Sequence, residues 1–265
     1  MFAAAAALSL FCLNALSQSY EGLDSLLTQY YAVLEAEDMD AKCAECDWLI
    51  SECTDSLARQ HVALNIYSHY LDSKVMGEEA VAIHIYDNWF APGKVSFTND
   101  IDKINAAIFA DFNRQSLIGM SAPMLVMRKS SGARVALPRA GRTSILFFYD
   151  TSCKTCKAET EILPQVIGGI DFPVDLYCIY VGTDKKAWKQ FRRERLAFRN
   201  PKVRTFHLWD PEVESDFQRK YAVISTPRTY VVEPQGTIFG RRLDPVSLQE
   251  ILYYARLIQT SDDTR

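Results

Sequence analysis

Cys153-Lys154-Thr155-Cys156 is the stretch whose residue types and spacing most directly specify a reaction. Two thiols three positions apart allow a thiolate on the first to attack a disulfide. The second then attacks the resulting mixed disulfide and releases the product. The stretch follows Ser144-Ile145-Leu146-Phe147-Phe148-Tyr149, an apolar run that reads as a buried strand, and it opens a segment of helical period. Cys153 is thereby expected beside the unpaired N–H groups of a helix N-terminus, whose partial positive charge favours thiolate over thiol. Lys154 and Lys157 act in the same direction. Redox-active cysteines in such settings have a pKa of roughly 3.5 to 7.5, against about 8.5 for a free thiol. Cys156, one turn into the helix, is the expected resolving thiol. As half of a zinc site the pair lacks a second Cys or His pair nearby.

The other cysteines bear on the same chemistry. The chain has seven, too few in 265 residues for a fold held by disulfides alone. Cys43, Cys46 and Cys53 fall within about 80° of one another at the helical angle of about 100° per residue, on a face shared with Ile50 and Leu57. They fit two readings, core filling by small hydrophobes or a second redox centre. In a regular helix residues three apart keep their Cβ atoms roughly 5–6 Å apart, against about 3.8 Å in a disulfide. Cys43 and Cys46 can therefore bond only at a helix start, for which Asp38 and Asp40 are upstream caps. A three-cysteine metal site has no fourth ligand in view beyond His61 or a water, so no metal is expected. Cys178, inside Leu176-Tyr177-Cys178-Ile179-Tyr180, reads as buried and inert. His61, His69, His84 and His207 read as structural or surface groups. No phosphate-cradling glycine loop and no Ser/His/Asp arrangement is present.

The elements that must position these residues fall in two halves of opposite charge. From Gln18 to Phe112 there are 17 acidic against five basic residues; from Asn113 to Arg265 there are 16 against 24. Ahead of both, the uncharged run Phe2 to Leu16 ends in Ala15-Leu16-Ser17 and reads as a secretory signal over 1–17. It is shorter than the roughly 20 apolar residues that span a bilayer. Cys12 lies in that run. Residues 18–112 carry helical periodicity, as in Leu23, Leu26, Leu27, Tyr30, Tyr31 and Leu34 and in Leu64, Tyr67 and Leu71, with Pro92-Gly93 as the strong turn, and read as a module of four or five helices.

Residues 113–265 alternate. A hairpin over Leu125–Met127 and Arg134–Leu137 is followed by the strand Ser144–Tyr149, a helix from Cys153 to about Ile167, a strand Val174–Val181 and a helix Lys185–Leu196. Then come a strand Phe206–Trp209, a helix Glu212–Lys220, strands Thr229–Val232 and Thr237–Arg242, and a helix Ser247–Ile258. The series specifies an α/β fold with a mixed central sheet, preceded by an all-helical domain.

At this point the chain resembles a known group. Gly119-Met120-Ser121-Ala122-Pro123, the strand, Cys153-Lys154-Thr155-Cys156-Lys157-Ala158-Glu159 and Thr226-Pro227 together are similar to the TlpA/ResA-like extracytoplasmic thiol-disulfide oxidoreductases of the thioredoxin superfamily. The resemblance implies a thioredoxin-like fold over 113–265. It also implies a cis peptide at Pro227 against the cysteine pair, and a substrate paired with the backbone of Thr226. Glu159 matches an acid of that group, where a partly buried carboxylate can move protons during attack by Cys156. Thioredoxin itself has an acid where this chain has Phe147, so a relay here falls to Glu159 or water. It has a proline where this chain has Glu161, and the nearest proline is Pro164. Tyr70-Leu71-Asp72-Ser73-Lys74-Val75-Met76-Gly77-Glu78-Glu79 resembles a segment of helical domains ahead of such modules in Gram-negative envelope proteins.

These features lead to an exported, periplasmic or envelope oxidoreductase that needs no cofactor beyond its redox-active dithiol. The resemblance implies envelope protein disulfides as substrates and a membrane-bound thiol reductant as electron donor. A thiol peroxidase is the enzymatic alternative, but its Pro-x-x-x-Thr-x-x-Cys signature is missing before Cys153. A non-catalytic binding or scaffolding protein is the other. The basic run from Lys185 to Arg204 is a poor fit to nucleic acid in an exported protein, and the acidic first half is expected to dock on it.

Overall fold

The computed structural model describes residues 20–262, so the expected signal segment 1–17 and its Cys12 lie outside the described residues. The chain divides into two compact units, 1–114 and 115–265.

The first unit contains helices α1 (Glu21–Leu34), α2 (Met39–Glu52), α3 (Ser56–Leu71), α4 (Glu79–Ile85) and α5 (Asp100–Asn113), with a π-helical turn at Tyr86–Phe90. Three helix starts are set by side chains that accept an otherwise orphaned N–H. Asp38 accepts from Ala41, Asp55 from Ala58 and Asn99 from Asp102. The core joins Leu23, Leu27 and Leu34 of α1 to Leu49 and Ile50 of α2 and to Val62 and Ile66 of α3. A buried ion pair crosses it: Lys42 Nζ lies 2.6 Å from Glu78 Oε1, and Ser73 Oγ donates to Glu78 Oε2.

Cys46 and Cys53 belong to this core, and Cys43 packs against it half-buried. None of these three is in a disulfide. Burial pushes Cys43 up to about 11 and Cys46 up to about 12, so neither is a nucleophile near neutral pH. Core filling is the role their surroundings give them. Leu57 does not share their face: α2 ends at Glu52, a new helix begins at Ser56, and Leu57 is 64% exposed.

The second unit is built on one seven-stranded sheet. Its strands are β1 (Leu125–Arg128), β2 (Arg134–Leu137), β3 (Thr143–Tyr149), β4 (Val174–Tyr180), β5 (Val203–Trp209), β6 (Arg228–Val232) and β7 (Ile238–Arg241), in the order β2-β1-β5-β4-β3-β6-β7. The central β5, β4 and β3 are parallel; the hairpin β1/β2 and the pair β6/β7 add antiparallel edges. Every residue of β3 and β4 is buried, as mainly apolar strands covered on both faces require, with Asp175 of β4 paired to Arg142 and Arg204.

Helices α6 (Lys154–Gly168), α7 (Lys185–Arg195) and α9 (Pro245–Asp262) cover one face through Leu163, Ile167, Trp188, Phe191, Leu248 and Leu252. The short α8 (Phe217–Lys220) and Tyr221 cover the other, against Phe148 and Tyr230. The helix expected from Glu212 is confined to those four residues. Asp210 accepts from the N–H groups of Glu214 and Ser215, and Val213 and Asp216 adopt positive φ, so the segment before Phe217 is spent on a turn. The strand expected at Phe206 begins three residues earlier, at Val203. Pro164 lies inside α6.

Candidate functional site

The site forms at the carboxyl end of β3, where the chain leaves the sheet at Tyr149 and turns through Asp150-Thr151-Ser152 into α6. Asp150 holds this turn: its Oδ1 accepts from the Ser152 N–H at 2.7 Å, and its carbonyl accepts from the Cys153 N–H at 3.3 Å. Cys153 is itself the N-cap of α6. Its Sγ accepts from the Cys156 N–H at 3.1 Å, in the position a Ser or Asp side chain takes in an ordinary cap. A sulfur in that role gains from negative charge, because the helix dipole and the orphaned amides point at it.

The second contact comes from the loop before β6. The peptide bond between Thr226 and Pro227 is cis, and the Cys153 thiol donates to the Thr226 carbonyl at 3.3 Å. The structure thus brings Cys153, Cys156, Thr226 and Pro227 to one place. Burial works against the Cys153 thiolate, but hydrogen bonds from the Cys156 side chain and N–H, the Thr226 side chain and the Thr155 N–H outweigh it, leaving this thiol below its ordinary value. Cys156 is fully buried. Burial, followed by its bond to the Cys153 sulfur, holds it well above the ordinary thiol value. One sulfur is exposed enough to attack and biased toward thiolate; the other is sheltered and biased toward thiol.

Glu159 is half-buried in the second turn of α6. Burial first, and the negative charge of Asp244 second, raise it to about 7. Asp244 caps α9 by accepting from the Ser247 N–H at 2.8 Å, and it is 85 positions away in sequence, so no local pattern announces it. Two further groups escaped the sequence reading. A Cβ at Gly182 would run into Tyr180 Oη and Asp150 Oδ2; only glycine lets the loop after β4 lie against the turn that precedes Cys153. Trp209, at the end of β5, donates to the Gly182 carbonyl at 2.7 Å and locks that approach. The signal available for both was a turn glycine and an aromatic at a strand end. No group of three or more His, Cys, Asp or Glu side chains able to hold a metal occurs among the described residues.

The fold has structural counterparts. A thioredoxin-like protein from Bacteroides caccae superposes over 91% of this chain and 89% of its own, with a TM-score of 0.63 at 15% identity. The fold of this chain is thioredoxin-like. Two partial matches are the thioredoxin domain of a thiol-disulfide oxidoreductase from Bacteroides vulgatus and a thiol:disulfide interchange protein from a Bacteroides species. The first has 19% identity, covers 52% of this chain and 96% of its own, and has a TM-score of 0.46. The second has 21% identity, covers 53% and 90%, and has a TM-score of 0.45. No family model matches the chain, and no curated protein matches it. In the thioredoxin-like fold the parallel strands present their carboxyl ends on one edge, and Cys153 stands on that edge.

Proposed function

We propose that the chain is an exported thiol-disulfide oxidoreductase that reduces disulfides of other envelope proteins. The observation that carries this reading is the pair of contacts on Cys153 Sγ, with the Cys156 N–H on one side and the Thr226 carbonyl on the other. Cys153 thiolate attacks one sulfur of the substrate disulfide; that S–S bond breaks and the leaving thiolate takes a proton. Cys156 then gives its proton to the Glu159 carboxylate and attacks the Cys153 sulfur of the mixed disulfide, releasing the second substrate thiolate. Two electrons pass from the dithiol to the substrate, and Cys153 and Cys156 end as a disulfide. A membrane-bound dithiol donor restores it. The backbone of Thr226, beside the cis Pro227, pairs with an extended substrate segment. The envelope location rests on the expected signal at 1–17; among the described residues no helix is long and apolar enough to cross a membrane.

Trapping tests the reading. A Cys156→Ser variant expressed in cells is expected to accumulate mixed disulfides with envelope proteins, resolved as dithiol-sensitive adducts, and a Cys153→Ser/Cys156→Ser variant none. Absence of adducts together with a wild-type pair that is oxidised in cells would overturn it.

A further inference from the structure

The basic helix beside the cysteine pair has a face that the exchange chemistry does not use. α7 carries six Lys and Arg residues against one acid, Glu194. Its apolar side is spent inward: Trp188 and Phe191 are buried under the helix. Three of its cations are committed. Lys185 Nζ lies over the Trp209 ring, 5.6 Å from its centre. Arg192 packs over Trp188 and donates to Ser130 Oγ at 3.1 Å. Arg195 donates to the Lys157 carbonyl at 3.1 Å. Lys186, Lys189 and Arg193 are exposed and form no ion pair among the described residues. At about 100° per residue they share one stripe with Lys185, and these residues line a shallow concavity of about 440 Å³ with Gln190.

The stripe begins at the sheet edge that carries Cys153. β3 and β4 run parallel with Tyr149 opposite Tyr180, so α6 and α7 leave the sheet from neighbouring strand ends. On the other side of α7 from the stripe, Arg195 ties the helix to α6 by donating to the Lys157 carbonyl, and the Lys157 N–H bonds the Cys153 carbonyl at 3.2 Å. Lys154 and Lys157, both exposed, add positive charge on the first turn of α6.

We propose that the Lys186, Lys189 and Arg193 face of α7 docks acidic protein segments that carry the disulfide to be reduced. This rests on the exchange reading of Cys153 and Cys156. A cleft lined with one sign of charge raises encounter rates for an oppositely charged partner by about 10-fold to 1000-fold, and salt removes the gain. A peptide fits better than an anionic membrane surface: a helix that binds at a membrane surface offers apolar side chains on the buried side, and those of α7 point into its own core.

The test uses the full chain with a small dithiol as electron source and three synthetic peptides, each with one internal disulfide flanked by Asp/Glu, by Ser or by Lys. At about 0.01 M salt, where the Debye length is about 30 Å, the acidic peptide is expected to show a kcat/KM at least about 10-fold above the Ser-flanked one. At about 1 M salt, where that length is about 3 Å, the advantage disappears. Lys186→Glu/Lys189→Glu/Arg193→Glu should abolish it at low salt, with reduction of a neutral small disulfide as internal control. Equal rates for the three peptides on the wild type overturn the proposal, as does a preference that survives the triple reversal. A rise in the acidic-peptide rate with salt also overturns it, because the face would then already be occupied by the acidic first half of the chain. So does sedimentation with phosphatidylglycerol vesicles accompanied by flat peptide rates, which would assign the face to a membrane. Should the wild type fail to turn over the neutral disulfide, the exchange reading fails instead. Binding of a fluorescent acidic peptide without cysteine then decides the docking face by itself: salt-sensitive binding lost in the triple variant supports it, and no binding overturns it.

Discussion

Glu159 illustrates how much a single side chain depends on surroundings that its own segment does not encode. Held at about 7 by burial and by Asp244, it is a carboxylic acid in mildly acidic medium and a carboxylate in mildly basic medium. Only the carboxylate can take the Cys156 proton, so the resolving step is expected to accelerate as pH rises through about 7. Glu159→Gln should lose that inflection and slow resolution above it by about 100-fold to 10,000-fold, the usual contribution of a positioned general base; stopped-flow decay of a Cys153 mixed disulfide reads this directly. The stability effect has the opposite direction. Because the folded value exceeds the ordinary 4.5, the unfolded chain gives up this proton first, and stability is lost as pH climbs from about 4.5 to about 7. Glu159→Gln should therefore match the wild type in melting temperature near pH 4 and exceed it near pH 8. The cysteine pair was legible in the sequence because its chemistry is local, two thiols one turn apart after an apolar strand. Gly182 was not, since its requirement arises from Tyr180 and Asp150 meeting it across two loops.

At the scale of elements, the segments read correctly are those whose pattern and packing agree. β3 and β4 carry the apolar runs Ile145–Tyr149 and Leu176–Tyr180 and occupy the centre of the sheet. Where a side chain redirects the backbone, the periodicity misleads. Asp55 accepting from Ala58 starts a new helix at Ser56 and takes Leu57 off the cysteine face, and Asp210 folds residues 212–216 into a turn. The Lys42–Glu78 pair is a tie of the same kind, joining α2 to the loop ahead of α4 with both side chains almost fully buried. Lys42→Met leaves Glu78 buried without its cation and is expected to cost about 3–5 kcal/mol. A Lys42→Met/Glu78→Leu double variant should recover most of that loss. Chemical denaturation followed by far-ultraviolet circular dichroism measures both; equal stability of the single and double variants would show that Glu78 does not depend on Lys42.

On the scale of the whole molecule, each of the two units has its own apolar interior, and every residue assigned to the exchange chemistry belongs to the second. Residues 115–265 expressed alone are therefore expected to fold and to reduce a neutral small disulfide with a kcat/KM within a few-fold of the full chain. Circular dichroism and a dithiol-coupled absorbance assay measure the two. A folded but inactive fragment would give the helical unit a part in catalysis. The charge imbalance between halves was visible in composition alone, but what the positive half presents was not: only the folded α7 separates cations committed to Trp188, Trp209 and the Lys157 carbonyl from those left free.

The sulfur of Cys153 belongs to the hydrogen-bond inventory of α6 as its first acceptor. On the proposed exchange reading, oxidation of the pair would also remove this cap. A thiolate gives the opening turn of the helix an anionic anchor; a disulfide replaces it with a neutral, weakly accepting sulfur whose direction is fixed by its covalent partner. On that reading the reduced and oxidised proteins would differ in the anchoring of one helical turn, at the point where a partner would touch.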